Sequence, residues 1–169
     1  IFQNPGFEAD DIIGTLATQA EQEPDLHTII LTGDKDAFQL VTDKTSVITP
    51  LKGISLTATY NPAEVKAKMS LRPDQIIDYK ALRGDASDNI PGVKGIGEKQ
   101  AIELLQKYET LDNLYEHLSE LTVGQQKKLS ENRQTAYLSQ KMATIICDMS
   151  IKLDLEACKL HSLPVEPVR

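Results

Sequence analysis

The stretch Ile90-Pro91-Gly92-Val93-Lys94-Gly95-Ile96-Gly97-Glu98-Lys99-Gln100-Ala101 sets three glycines among apolar residues and then runs directly into a helical pattern. Few folds accommodate this. Glycine permits the positive-φ turns and close backbone approaches that a Cβ resists, while Ile90, Val93 and Ile96 are apolar anchors that call for burial. The spacing predicts a tight corner between two helices. The N–H groups that open the second helix, with Lys94 and Lys99 beside them, would then form a grip for a phosphate. A dinucleotide fingerprint is excluded because no strand precedes the stretch and Gln100 stands where the third glycine belongs; a Walker loop is excluded because no Gly-Lys-Ser/Thr occurs. The bland alternative is a helical corner that binds nothing.

The front of the chain has a different character. Glu8 to Gln22 carries Ile12, Ile13, Leu16, Ala17 and Ala20 at helical spacing with acids in the first turn, which predicts a helix. Glu23-Pro24-Asp25 ends it. His27 to Leu31 reads as a buried parallel strand, which stops at the acidic loop Thr32-Gly33-Asp34-Lys35-Asp36. Next come a short helix around Ala37 to Val41, then strands Ser46–Thr49 and Ile54–Thr57 forming a hairpin around Pro50 to Gly53. Asn61-Pro62 and Arg72-Pro73-Asp74 each open a helix. Beyond that the pattern is helical, over Glu98–Tyr108, Leu111–Leu118, Gly124–Glu131 and Gln134–Ile146, with Ile151–Leu155 returning as a strand. The expected architecture is an α/β core over residues 1–70, a helical lobe over 71–161 and a Pro-rich linker at 162–169.

The 169 residues carry a net charge of −7, and nine carboxylates against Lys35 alone within Ile1 to Asp43 more than account for it. Acidity is thus local. It gathers in Glu8-Ala9-Asp10-Asp11, in Asp34-Lys35-Asp36 and in Asp85-Ala86-Ser87-Asp88. Each cluster alone fits ordinary capping or turn chemistry. Together they supply seven carboxylates from three segments, and such a set would repel itself unless cations held it. Hard oxygen donors suit Mg²⁺ or Mn²⁺, and paired ions of this kind promote phosphodiester hydrolysis. Cys147 and Cys158 form no CxxC, and the three histidines stand apart, so zinc and disulfide frameworks are not expected. No apolar run is long enough for a membrane span, and a reduced, cytoplasmic setting is expected.

The segments Gly6-Phe7-Glu8-Ala9-Asp10-Asp11, Thr32-Gly33-Asp34-Lys35-Asp36 and Leu82 through Lys99 closely resemble the 5′-nuclease domains of bacterial DNA polymerases I, within the wider family of flap endonucleases. The resemblance implies a PIN-like parallel-sheet core followed by a mainly α-helical helix-three-turn-helix (helix-hairpin-helix) lobe. It implies an enzyme that removes 5′ flaps and RNA primers using two Mg²⁺ or Mn²⁺ ions. By position, Glu8 and Asp10 resemble ligands of the first ion, and Asp34, Asp36 and Asp88 those of the second, with Asp11 and Asp85 nearby. Arg83, Gly92, Val93, Lys94, Gly95, Ile96, Gly97, Glu98 and Lys99 resemble the part that holds duplex DNA, with a K⁺ ion at the Gly92–Gly97 turn.

Family members also have a leading strand with a metal-binding Asp, and an arch with basic and aromatic groups, before the position of Ile1. Their absence predicts a fragment nearly inactive alone, a sheet flank open to a second copy of the chain, and a polymerase domain following in the parent protein. The alternative is a non-catalytic module that grips duplex DNA through the glycine corner. A PIN-type ribonuclease shares the acids but leaves that corner without a role. A haloacid dehalogenase-like phosphatase would need a different context around Asp34 and Asp36.

Overall fold

The computed structural model describes residues 1–52 and 56–159. Helix α1 (Ala9–Ala20) leads into β1 (Thr28–Leu31), and a 3₁₀ turn at Asp36–Leu40 leads into β2 (Thr45–Lys52) and β3 (Leu56–Tyr60). The sheet order is β1-β2-β3, with β1 and β2 parallel and β2 and β3 antiparallel. Seven helices occur among the described residues: after α1 come α2 (Pro62–Met69), α3 (Ile76–Arg83), α4 (Glu98–Tyr108), α5 (Leu111–Glu116), α6 (Val123–Glu131) and α7 (Arg133–Ala143). None is long and apolar enough to cross a membrane.

Local chemistry explains the helix starts. The Asn61 side chain accepts from the N–H groups of Ala63 and Glu64 ahead of Pro62, Thr110 caps α5 and Thr122 caps α6, each satisfying donors that the first turn leaves free.

Two apolar cores result. The first gathers Ala17, Ile30, Phe38, Val47, Tyr60, Val65 and Ile76 between the sheet, α1 and α2. The second gathers Leu82, Val93, Ile96, Leu104, Leu105, Leu111, Leu114 and Leu129 within the helical lobe, each buried leucine contributing about 2 kcal/mol. Helix α3 joins them, since Ile76 belongs to the first core and Tyr79, Ala81 and Leu82 to the second. On α7 the small residues Ala136, Ser139 and Ala143 are buried, at spacings that place them on one helix face.

Three expectations need correction. The strand at His27–Leu31 is not buried on both sides: Ile29 is 60% and Leu31 69% exposed, because β1 is an edge strand covered on one face only. The first hairpin strand runs through Pro50 to Lys52. Proline is tolerated there because the pairing with β1 has ended at Ile48 and the register with β3 shifts between Pro50 and Lys52, so no ladder bond is lost. The second strand is described from Leu56; the expected turn residue Gly53, the strand start at Ile54–Ser55 and the linker 162–169 lie outside the described residues. Finally, Ile151–Leu155 forms no strand. Its backbone is satisfied by α1 instead: Gln19 Nε2 donates to the Ile151 carbonyl at 2.7 Å and Gln19 Oε1 accepts from Leu153 N–H at 2.8 Å.

Candidate active site

The three acidic clusters meet in one cleft of about 670 Å³, walled by the start of α1, the loop after β1, the loop after α3 and the segment that follows α7. Glu8, Asp10, Asp11, Asp34, Asp36 and Asp88 line it, together with Lys141. Their crowding is electrostatically visible. Burial raises the Asp10 pKa and the negative charges of Asp34, Asp36, Glu8 and Asp11 raise it further. Burial likewise raises Asp36, against the pull of Lys80. These are shifts that a bound cation would reverse.

The tightest grouping is Asp36, Asp85 and Asp88, each of which offers a carboxylate oxygen within 4.8 Å of the others. This trio includes Asp85 and leaves out Asp34, unlike the set the resemblance implies. Asp34 lines the same cleft and, like Asp88, is exposed; its Oδ1 accepts from the Asp36 N–H at 2.9 Å in the turn after β1. Asp11 has both oxygens engaged: Oδ1 accepts from Ile146 N–H at 2.9 Å and Oδ2 from Glu8 N–H at 3.1 Å. It ties the start of α1 to the segment after α7.

Into the trio reaches Lys80, which the sequence reading did not single out. Its ammonium hydrogen-bonds Asp36 and lies 3.0 Å from Asp85 Oδ2 and 3.1 Å from Asp88 Oδ2, and its side chain is 7% exposed. Burial works against its charge, yet the three carboxylates more than offset that and hold its pKa above the ordinary lysine range. The Asp85 carboxyl is pulled down to about 2, first by the Ser87 hydroxyl and then, against its own burial, by Lys80. A signal for Lys80 was present in the sequence: it lies four residues after Ile76, on the buried side of α3.

The glycine corner adjoins this site directly. The Asp85 and Ile90 backbones exchange hydrogen bonds of 2.9 and 2.8 Å, and Val93 N–H donates to the Leu82 carbonyl at 2.8 Å. Gly92 (φ 64°) presses on Gly84 (φ 79°) so closely that a Cβ on Gly92 would sit 2.3 Å from the Gly84 nitrogen. Gly92 serves this internal contact, and its N–H donates to Ser139 Oγ at 3.0 Å. The side chains of Val93 and Ile96 are buried, whereas Lys94, Gly95, Gly97, Glu98 and Lys99 are exposed. Gly97 opens α4 without a side-chain cap, which leaves the first-turn N–H groups free for an outside acceptor. Arg83 is exposed and lies over the Tyr79 ring at 5.9 Å. Lys128 also reaches the corner, donating to the Gly95 carbonyl at 2.8 Å from 33 residues away, a contact no local pattern announces.

The model of the N-terminal resolvase-like domain of 5'-3' exonuclease matches residues 1–70, and that of the C-terminal SAM fold of 5'-3' exonuclease matches residues 71–166. The chain belongs to the 5'-3' exonuclease family. It is 44% identical over 163 residues to DNA polymerase I of Bacillus subtilis (strain 168), a match that takes in 96% of this chain and 18% of that protein. To a 5'-3' exonuclease of the same organism it is 45% identical over 151 residues, 89% of this chain and 50% of that one. It therefore spans half or less of the length of these relatives. Its fold matches that of T5 5'-exonuclease, a structure with divalent metal ions (zinc) bound, with a TM-score of 0.75 at 22% identity over 86% of this chain and 52% of that one. In this 5'-3' exonuclease chain, carboxylates up to 80 residues apart in sequence thus share one acidic cleft beside a glycine corner.

Proposed function

We propose that this chain belongs to the 5′-nuclease region of a DNA polymerase I-type protein, a region that hydrolyses phosphodiester bonds at 5′ flaps, nicks and RNA primers with divalent metal ions. The observation that carries this reading is the convergence of Glu8, Asp10, Asp34, Asp36, Asp85 and Asp88 on one face, next to an exposed, uncapped helix start flanked by Lys94 and Lys99. The donor set fits the metal: carboxylate oxygens alone, three of them within 4.8 Å of one another, which suits Mg²⁺ or Mn²⁺ over softer ions.

Glu8 and Asp10 would hold one ion, Asp36, Asp88 and Asp85 the other, with Asp34 and Asp11 fixing the loops that carry them. Bound there, divalent ions would lower the pKa of a water and offset charge on the leaving oxygen. The chain itself supplies position. Duplex backbone on the α4 N-terminus, Lys94 and Lys99 sets the register of the strand without reading bases, and the Asp85–Ile90 bridge fixes that grip relative to the carboxylates. A K⁺ ion at the Gly92–Gly97 turn would be held by backbone carbonyls there, where the Gly95 carbonyl now accepts from the Lys128 ammonium. The remainder of a polymerase chain would then act in cis on the trimmed end.

The test is Mn²⁺ titration by calorimetry into wild type and Asp88→Asn, alongside binding of a labelled 5′-flap DNA by wild type and the Lys94→Ala/Lys99→Ala double variant. The reading expects about tenfold weaker Mn²⁺ binding in Asp88→Asn, and weaker DNA binding with a salt slope reduced by about 2 in the double variant. Equal Mn²⁺ binding by wild type and Asp88→Asn, with DNA held regardless of metal, would favour a non-catalytic duplex-binding module.

A further inference from the structure

Lysine ammonium groups do not enter the interior of an acidic trio without consequence. Lys80 is anchored on α3 between the two apolar cores, is almost wholly buried, and donates to the same Asp36, Asp85 and Asp88 oxygens that a divalent ion would use. An ion coordinated at the ~2.1 Å typical of Mg²⁺ would stand nearly where Nζ stands. Two cations within ~3 Å in a partly buried site repel strongly, so the trio holds one or the other.

Resting on the metal-site reading above, we propose that Lys80 is a resident counter-cation of the metal centre. Its ammonium keeps the three carboxylates assembled while the site is metal-free, and a divalent ion binds by displacing it. The trio's triple negative charge exceeds the single charge of the lysine, so the metal-free site keeps a net attraction for a dication. A monovalent ion gains little over an ammonium that is tethered in place, whereas a doubly charged ion gains enough to expel it. The four-carbon stem of lysine allows the head group to swing out while Ala81 and Leu82 stay packed. Selectivity for divalent over monovalent ions and an apparent metal affinity lowered by the lysine both follow.

The test uses the Lys80→Met variant, which keeps the buried stem and removes the charge. Calorimetric Mn²⁺ titration should give binding about tenfold or more tighter than in wild type, with a larger rise in melting temperature on adding Mn²⁺. Variant folding only when Mn²⁺ is present would support the proposal equally. In wild type, the ¹⁵N-labelled Lys80 ammonium resonance, protected in the metal-free protein, should shift or lose protection as Mg²⁺ is added. That measurement needs no substitution and decides the matter if Lys80→Met fails to fold at all. Mn²⁺ binding by the variant equal to or weaker than wild type, or an ammonium resonance unmoved at calorimetric saturation, would overturn the proposal and leave Lys80 as a structural ion-pair partner. Binding by neither protein would remove the metal-site reading itself, and this inference with it, whereas binding by the variant alone would show the site intact and blocked by the lysine.

Discussion

Replacing Gly92 by alanine tests whether this glycine serves a nucleic-acid partner or the fold itself. Two costs follow from its surroundings. At φ 64° an alanine occupies the left-handed region, for about 1–2 kcal/mol. Its Cβ would lie 2.3 Å from the Gly84 nitrogen and 2.6 Å from the Gly84 Cα, and because that wall is backbone no side-chain rotation relieves the overlap. Overpacking of this kind adds about 1–3 kcal/mol. A loss near 3 kcal/mol corresponds to a melting temperature lower by roughly 10 °C in a chain of this size. The displaced loop carries Asp85 and Asp88, so Mn²⁺ binding should weaken in the same variant. Gly97→Ala is the control, since Gly97 has φ −95° and open space around it; losing a glycine at that cap costs about 1 kcal/mol or less. Differential scanning calorimetry of both variants, with flap-DNA binding measured in parallel, decides the question. A Gly92→Ala protein melting within ~2 °C of wild type but unable to bind DNA would refute the reasoning, because the glycine would then be serving the partner.

Gln75 is 4% exposed and its amide nitrogen donates to the carbonyls of Leu105 and Glu109, both at 2.9 Å, while its oxygen accepts from Arg72 N–H at 3.0 Å. Gln75→Leu should therefore lose about 2–3 kcal/mol in urea unfolding, and a loss under ~0.5 kcal/mol would mean that water replaces the amide. The acidic cleft also predicts a pH dependence. Asp10 and Asp36 have raised pKa values, so their contribution to metal-free stability is favourable below the ordinary carboxylate range and is lost as pH rises through the raised values. Stabilisation by added Mn²⁺ should accordingly be largest at about pH 7 and fade toward about pH 4, as protonation competes for the ligands; a thermal shift independent of pH would contradict this. Asp85, held near 2, runs the other way: its stabilising contribution persists above pH 3.8 and is lost only as pH falls through about 2.

Much of the molecule can be read from local pattern, because local forces decide it. Apolar spacing and caps such as Asn61, Thr110 and Thr122 mark helices whose first turns need those acceptors whatever lies beyond. The acidic clusters and the glycine corner are equally visible, since their residue types have few other uses in such density. Strands were less legible. The apolar Ile29 and Leu31 look buried in sequence but lie on the open face of an edge strand, and burial is a property of neighbours. Ile151–Leu155 has strand-like residues but pairs with no strand, and the side chain of Gln19 bonds its backbone instead.

The chemical inventory of the site is thus a property of the sequence, and its arrangement is a property of the tertiary structure. Carboxylates at 8–11, 34–36 and 85–88 announce a metal-binding chemistry by type alone. That Asp36, Asp85 and Asp88 form the tight trio, that Lys80 stands among them and that Lys128 reaches Gly95 all depend on where α3 and α6 settle against their neighbours. The physical reason is range: capping, turn and helical preferences act over four or five residues, whereas charge pairing and close packing act between whatever the folded chain brings within a few ångströms.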